Sequence, residues 1–439
     1  MLALLGNFSP NVQAPGWMLS NGVLGAKISW DDRLHRVPPD TILTLDRDSW
    51  TCALQTTELC YSPKQASKES HKSRLASAIK NSVSSMRIDF AKWPIALSGG
   101  YDSRGIIQAI GEQPNLRSIT WGKARSGDDK RSDAAVAAEL SQKYKTAHTY
   151  YELDPKNVDT IGRVFDSFVA HGEGLVDNIS GYTDGFRMWR NIYNDGIEGI
   201  IRGDEAFGNT WRETTEELYK DWRFFRLQDY SNTQELIQKL KLPAQDYNPA
   251  DMIKENEEMG DYIDRLYFTY LMPASLAGLN LIKSYFCELI NPLLSREIAE
   301  SIRSQPYTYR NDKSLFKEIV EENSGDIKLA SKGSTSSRAE FLGREDVVAY
   351  IFEYLRSQQT GVFSSEAIEF IVKHAEKSTV RKKSAFMRQC DRLLNKARKT
   401  LIKVPDVPRV DYMAIALRAL IVCKIYELLE ADSRALSVN

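Results

Sequence analysis

Residues Pro94 to Ile107 read PIALSGGYDSRGII, and the fold turns on this stretch. Ile95-Ala96-Leu97 is a short apolar run, and Ile106, Ile107, Ala109 and Ile110 then recur at helical spacing. Between them lies Ser98-Gly99-Gly100-Tyr101-Asp102-Ser103-Arg104. The pattern predicts a buried strand, a tight loop and a helix. Such a loop turns backbone N–H groups and a helix N-terminus towards an anion. Adjacent glycines let the backbone approach phosphate oxygens with no Cβ in the way. Ser98 and Ser103 add hydroxyl donors. Asp102 would repel a bare phosphate, but it fits if a Mg²⁺ ion lies between carboxylate and phosphate. The plain alternative is a strand-to-helix turn whose Gly and Ser are incidental.

Upstream of the loop, Leu75, Ile79, Val83 and Met86 fall on one helical face. Downstream comes a strand, Leu116 to Trp121, then a polar loop, Lys123 to Asp133. A helix with Ala134, Ala138 and Leu140 follows, and then a strand from His148 to Leu153. Strand–helix alternation predicts an α/β fold with a mostly parallel sheet covered by helices. Ligands of such sheets lie at the carboxyl ends of the strands, where the Ser98 loop falls. Gly199-Ile200-Ile201 is a further strand, and it runs into Arg202-Gly203-Asp204-Glu205-Ala206-Phe207-Gly208, an acidic turn suited to the same edge. From about Glu213 the pattern is predominantly helical. The expected division is an α/β domain over 66–235, a helical part over 236–439 and a small β-rich region over 1–65. In that last region Gly6, Pro10, Pro15, Gly16, Gly22 and Gly25 punctuate short strands and turns. Val37-Pro38-Pro39 then leads into a strand at Thr41 to Leu45. Asp411 to Leu429 is expected as an amphipathic helix with a stripe through Ile415, Leu417, Ile421, Ile425 and Leu428.

The 439 residues carry a net charge of −1, so no global basic field argues for nucleic acid. The five cysteines are scattered without a C-x-x-C pair, which argues against a structural zinc site and for reduced thiols in a cytoplasmic protein. The opening MLALLGNFSPN lacks a basic n-region and a long apolar core, and so does not read as a signal peptide. The longest apolar stretch, Leu266 to Ile282, is broken by Pro273, Gly278 and Asn280. It reads as buried helix and loop, not as a membrane span. Between Lys373 and Lys403 basic residues outnumber acidic ones by eleven to two. That segment is a solvated helical face or a dock for an acidic partner.

Ser98-Gly99-Gly100-Tyr101-Asp102-Ser103 resembles the pyrophosphate loop (SGGxDS) of ATP pyrophosphatases. Within that group the chain resembles the synthetase half of the asparagine synthetase family. Gly203 to Gly208 is similar to the family's acidic turn, and Glu288-Leu289-Ile290-Asn291-Pro292-Leu293-Leu294 to its E-x-R-x-P-F-L-D stretch. Lys332, in Ala330-Ser331-Lys332-Gly333-Ser334, lies near where the family has a catalytic lysine. The resemblance implies an ATP-pyrophosphatase fold preceded by a short degenerate glutaminase-like region. It implies ATP phosphates on Ser98, Gly99, Gly100 and Ser103, adenine against the backbone of Trp121 and Gly122, and Mg²⁺ on Asp102 and Asp204. Asp102, Asp204 and Lys332 would carry the chemistry: adenylation of a small-molecule or peptide carboxylate, then amide formation. Three departures stand out. Position 2 is Leu2 where glutamine-hydrolysing members have a catalytic Cys, so any ammonia must come from a partner protein or be replaced by a substrate amine. Ile201 stands where the family has a glutamate, and Ile290 where it has the E-x-R-x-P arginine. Loss of the Cys resembles the branch of β-lactam synthetases and lasso-peptide cyclases. A non-catalytic nucleotide-binding scaffold is the alternative from another class.

Other residues admit two readings. Arg104 is a phosphate contact or a surface salt bridge. Glu205 supports the site or caps its turn. Ser126 to Asp133 closes over the nucleotide or is a plain mobile loop. His171, Glu173 and Asp177 line an acceptor pocket or serve the fold, and His148 is expected to be structural.

Overall fold

Outside the sheet, the described residues make one hairpin, β1 (Thr41–Asp46) with β2 (Thr51–Thr56), antiparallel and exposed along almost its whole length. The sheet follows as β3 (Ile95–Ala96), β4 (Arg117–Gly122), β5 (Ala147–Glu152), β6 (Gly199–Ile201) and β7 (Glu288–Ile290). All its pairings are parallel, in the order β5-β4-β3-β6-β7. The computed structural model describes residues 6–124, 126–153, 160–222, 224–245, 252–335, 337–358, 361–383 and 408–437. The basic segment read between Lys373 and Lys403 falls mostly outside them.

Strand order reverses at β3. The chain steps from β3 to β4 to β5 on one side, then returns to place β6 and β7 on the other. A crevice opens at such a switch point, outside the carboxyl ends of the strands. Both faces of the sheet are covered. Ile200 joins the core built on Phe165, Trp189 and the C-terminal helix, whereas its neighbour Ile201 joins the core of Leu75, Ile106 and Phe316. Side chains alternate across a strand, so an unbroken apolar run is what a two-sided sheet requires.

The helices start where the chemistry allows. Ser67 caps Lys68–Ser84 by accepting the Ser70 N–H at 3.2 Å, a bond worth about 1 kcal/mol. Ser132 caps Asp133–Lys143 in the same way through the Ala135 N–H.

Three expectations are corrected. The first 65 residues are not only strands and turns, because Ala14–Asn21 is a helix with every residue buried. Pro15 and Gly16 read as punctuation, but a proline is welcome in the first helical turn, where its missing N–H has no partner to lose. Leu266 to Ile282 is helical throughout: Met259–Leu266 continues as a π-helix over Tyr267–Leu276 and returns to α over Ala277–Ser284. The wider π register accommodates Pro273. Tyr412–Ser437 is a central helix rather than a surface one, buried on every side from Tyr412 to Tyr426. Two cations inside that helix keep partners: Arg418 meets Asp177 at 2.7 Å and Lys424 meets Asp166 at 2.5 Å. No helix among the described residues is long and apolar enough to cross a membrane.

Candidate functional site

The Ser98 loop leaves β3 and folds onto itself before the helix Tyr101–Ile110. The Ser98 N–H donates to Ser103 Oγ at 3.0 Å, the two hydroxyls meet at 3.0 Å, and the Gly100 N–H reaches Ser98 Oγ at 3.3 Å. Gly99 cannot be larger: a Cβ there would lie 2.3 Å from Ala330 Cβ, and its carbonyl accepts the Ala330 N–H at 3.0 Å. The Gly99 N–H donates to Asp133 Oδ1 at 3.2 Å. Helix Tyr101–Ile110 begins at Gly100 with no side-chain cap, so its first N–H groups are left to a ligand or to water.

A cavity of about 250 Å³ opens beside this loop. Ser98, Asp102 and Ser103 line it from β3, Thr120 and Trp121 from β4, Arg202, Gly203 and Asp204 from β6, and Ser334 and Thr335 from above. The structure thus brings Ser98, Asp102, Ser103, Trp121 and Asp204 around one space. A Cβ on Gly203 would approach Asp102 Cβ to 2.9 Å, so a glycine is what lets the two acidic turns close up. Gly99, Gly100 and Gly122 support the walls. The Gly122 carbonyl accepts the Leu153 N–H at 2.7 Å, and a Cβ there would strike the Ser334 carbonyl.

Lys332 behaves differently. Its backbone pairs with the 131–133 segment, two residues from Ala330 on the phosphate loop, but its side chain is half exposed and points to Asp129 at 2.5 Å. It does not line the cavity. The same pairing anchors the Ser126–Asp133 loop, which Ser126 also ties to the Ser334 carbonyl at 3.1 Å.

Charged partners missing from the motif reading complete the site. Lys313 Nζ lies 3.0 and 3.2 Å from the two Asp102 oxygens and 2.5 Å from Glu205. No motif marks it. It gets there through two successive left-handed residues, Asp312 (φ 52°) and Lys313 (φ 58°), a conformation that costs roughly 1 kcal/mol or more per non-glycine residue. Glu205 serves both roles considered for it. It is buried, accepts the Phe207 N–H at 2.6 Å and binds Lys313. Burial lifts its carboxyl above the ordinary range despite Lys313. Burial alone would raise Asp204 too, but Arg202 at 3.0 Å and Asn280 at 3.2 Å bring it below the usual value. Arg202 was within reach of the sequence, because it stands directly after β6 and two residues before Asp204.

Ile201 and Ile290, the two sites of departure from the resembled pattern, are cross-strand partners in β6 and β7. An apolar pair thus occupies both positions at once.

Several candidate residues prove structural. Arg104 is neither a phosphate contact nor a surface ion pair. It is buried and donates to the carbonyls of Ile327 and Lys328 at 2.6 and 2.9 Å, fixing the segment that reaches Ala330. Asp177 is clasped by Arg418 and Arg338. His171 stacks on Tyr285 at 4.1 Å, and the Glu173 carbonyl accepts the Trp30 indole N–H at 2.8 Å. None of the three lines the cavity. His148 is structural as expected, bonded through Nδ1 to Ser118 Oγ at 2.8 Å.

Burial, reinforced by the Arg202 charge, pushes the Lys283 ammonium down to about 7. Its protonation therefore opposes folding. That cost is absent above the ordinary lysine value of about 10.4, grows as pH falls and is complete below about 7. Lys283→Met is expected to melt higher than wild type near pH 6, with the advantage shrinking towards about pH 9. An advantage that does not change with pH would count against a buried ammonium.

No protein-family model matches the chain, and no curated protein matches it. No group of three or more His, Cys, Asp or Glu suited to a metal occurs among the described residues. Three carboxylates, Asp102, Asp133 and Asp204, line one cavity, and Asp133 is tied to the Gly99 N–H. Asp102 and Asp204 suit a Mg²⁺ ion that takes its other oxygens from phosphate and water, which is how Mg²⁺ is usually held beside a nucleotide.

Proposed function

We propose that the chain is an ATP-dependent, AMP-forming amide synthetase of the ATP-pyrophosphatase fold, resembling the asparagine synthetase family. One observation carries this reading: the SGGYDS loop after β3 and the acidic turn after β6 meet on one cavity at the switch point of a parallel sheet.

In this reading the hydroxyls of Ser98 and Ser103 and the open start of helix Tyr101–Ile110 bind phosphate oxygens. Trp121 offers a wall for the nucleotide. Asp102 and Asp204 would hold Mg²⁺, which when bound offsets phosphate charge. Lys313, in contact with Asp102, places a cation at the loop, where it can answer charge that builds on pyrophosphate. A substrate carboxylate attacks the α-phosphorus, the bond to the β-phosphate breaks, and acyl-adenylate and pyrophosphate result. An amine then attacks the acyl carbon, loses its proton and expels AMP. Ile201 is buried and apolar, so the position where the resembled family has a glutamate supplies no carboxylate for that proton. This favours an amine that belongs to the substrate itself over free ammonia, as in the lactam- and macrolactam-forming branch.

The test is incubation with ATP, Mg²⁺ and pooled amino acids and small carboxylic acids, with hydroxylamine as a surrogate amine. AMP, pyrophosphate and hydroxamate should appear together. Release of ADP would count against the ligase, and no turnover with any pool while ATP still binds would favour the scaffold alternative.

A further inference from the structure

The β6 wall of the cavity carries a guanidinium whose hydrogen bonds the fold satisfies only in part. Arg202 lines the cavity and donates through Nη2 to Asp204 Oδ1 at 3.0 Å, its one side-chain partner among the described residues. Its Nε is buried with no hydrogen-bond acceptor. Beside it, the buried Lys283 donates to Asn280 Oδ1 at 3.1 Å, and Asn280 Nδ2 donates to Asp204 Oδ2 at 3.2 Å. Arg202 is near enough to Lys283 to depress its ammonium, and Asp204 is the carboxylate that faces both side chains. Cys287, close by, is no counter-ion, because burial pushes its thiol up to about 11.

A buried guanidinium N–H without an acceptor forfeits the bond it had in water, which is costly for a charged group. An anion entering the cavity can restore it. The Nε/Nη edge of arginine is a planar fork whose spacing matches the two oxygens of a carboxylate. Asp204 accounts for one of the two Nη2 hydrogens, which leaves Nε–H and another Nη2 hydrogen for a ligand.

We propose that Arg202 seats the carboxylate of the substrate, its Nε–H and Nη2–H holding the two oxygens at the β6 end of the cavity. Asn280 and Lys283 act through Asp204, fixing it so that the guanidinium stays aimed inward. The substrate is then an acid bound as its anion, within a few ångströms of the loop that would hold the phosphates. The anion seat follows from the charge arrangement alone, whereas its occupant being the group that is adenylated rests on the ligase reading.

The test titrates acetate into the full chain at low ionic strength, followed by line broadening of its ¹³C carboxyl signal. Wild type is compared with Arg202→Gln, Arg202→Lys and Arg296→Gln, the last at a position whose side chain is 82% exposed. Arg202→Gln should weaken acetate by at least about tenfold, the loss expected for a charge-assisted bond. Arg202→Lys should lose less, and Arg296→Gln nothing. Should the Gln variant unfold, the Lys variant decides: it keeps the charge but not the fork, and affinity equal to wild type overturns the seat. So does equal loss in the Arg296 variant, or absence of acetate binding in wild type. ATP binding to wild type is measured alongside. If acetate follows Arg202 but ATP does not bind, the seat stands and the ligase reading falls. If ATP binds and acetate ignores Arg202, the seat falls and the ligase reading stands.

Discussion

Asp102→Asn is expected to lower ATP-dependent release of AMP and pyrophosphate by about a hundredfold or more while leaving the chain folded. The change removes one negative charge and keeps the shape. The side chain is about one-third exposed, and its partner Lys313 retains Glu205 at 2.5 Å, so no buried cation is stranded. The helix it opens, Tyr101–Ile110, takes no side-chain cap from it. Folding therefore has little at stake, whereas the proposed nucleotide site loses one of the two carboxylates proposed to hold Mg²⁺. The check is a coupled pyrophosphate assay beside a thermal melt of the same samples. Turnover equal to wild type would remove Asp102 from the chemistry. A large drop in melting temperature would instead mean that Asp102 serves the fold.

How far the sequence alone could lead depends on how local each feature is. The strand before Ser98 and the helix after it follow from an apolar run, two glycines and a 3.6-residue repeat, all within fourteen residues. The strand at Gly199 to Ile201 was equally legible, since three apolar residues before an acidic turn leave few alternatives. β7 was not, because Glu288-Leu289-Ile290 becomes a strand only by lying beside β6. The cavity wall and the side chains that brace it show the same division. Asp102 and Asp204 announce themselves by their turns. Lys313 reaches Asp102 from 211 residues away through a left-handed kink that leaves no mark in composition. Asn280 and Lys283 stand one turn apart on a helix that looks interrupted in sequence, because Pro273 and Gly278 ordinarily break helices. The π register over Tyr267–Leu276 absorbs the proline and sets which face those two residues present. Where chemistry depended on tertiary register, sequence pattern named the residue types but not the partners.

Asp177→Ala is expected to destabilise the fold by about 3–5 kcal/mol, the largest stability loss we foresee from one side chain. Asp177 follows the helix Ile161–His171 and meets Arg418 Nε at 2.7 Å and Arg338 at 2.6 Å. Arg418 lies in the middle of the C-terminal helix with only 3% of its side chain exposed. Its other bonds go to the carbonyls of Leu19 and Ser20, at 2.9 and 2.8 Å, where the N-terminal helix ends. One carboxylate thus joins both ends of the chain to the sheet domain. The packing leaves no slack there: a Cβ on Gly22 would lie 2.1 Å from Asp177 Oδ2. Removing the carboxylate strands a buried guanidinium whose remaining acceptors are neutral carbonyls, and water cannot reach it. Pairing Asp177→Ala with Arg418→Met should recover much of the loss, because the charge that made the cavity costly leaves with it. Urea unfolding of the two single variants, the double variant and wild type closes the cycle. Additive effects would show that the pair is not coupled. Unchanged stability together with lost turnover would return Asp177 to the acceptor pocket.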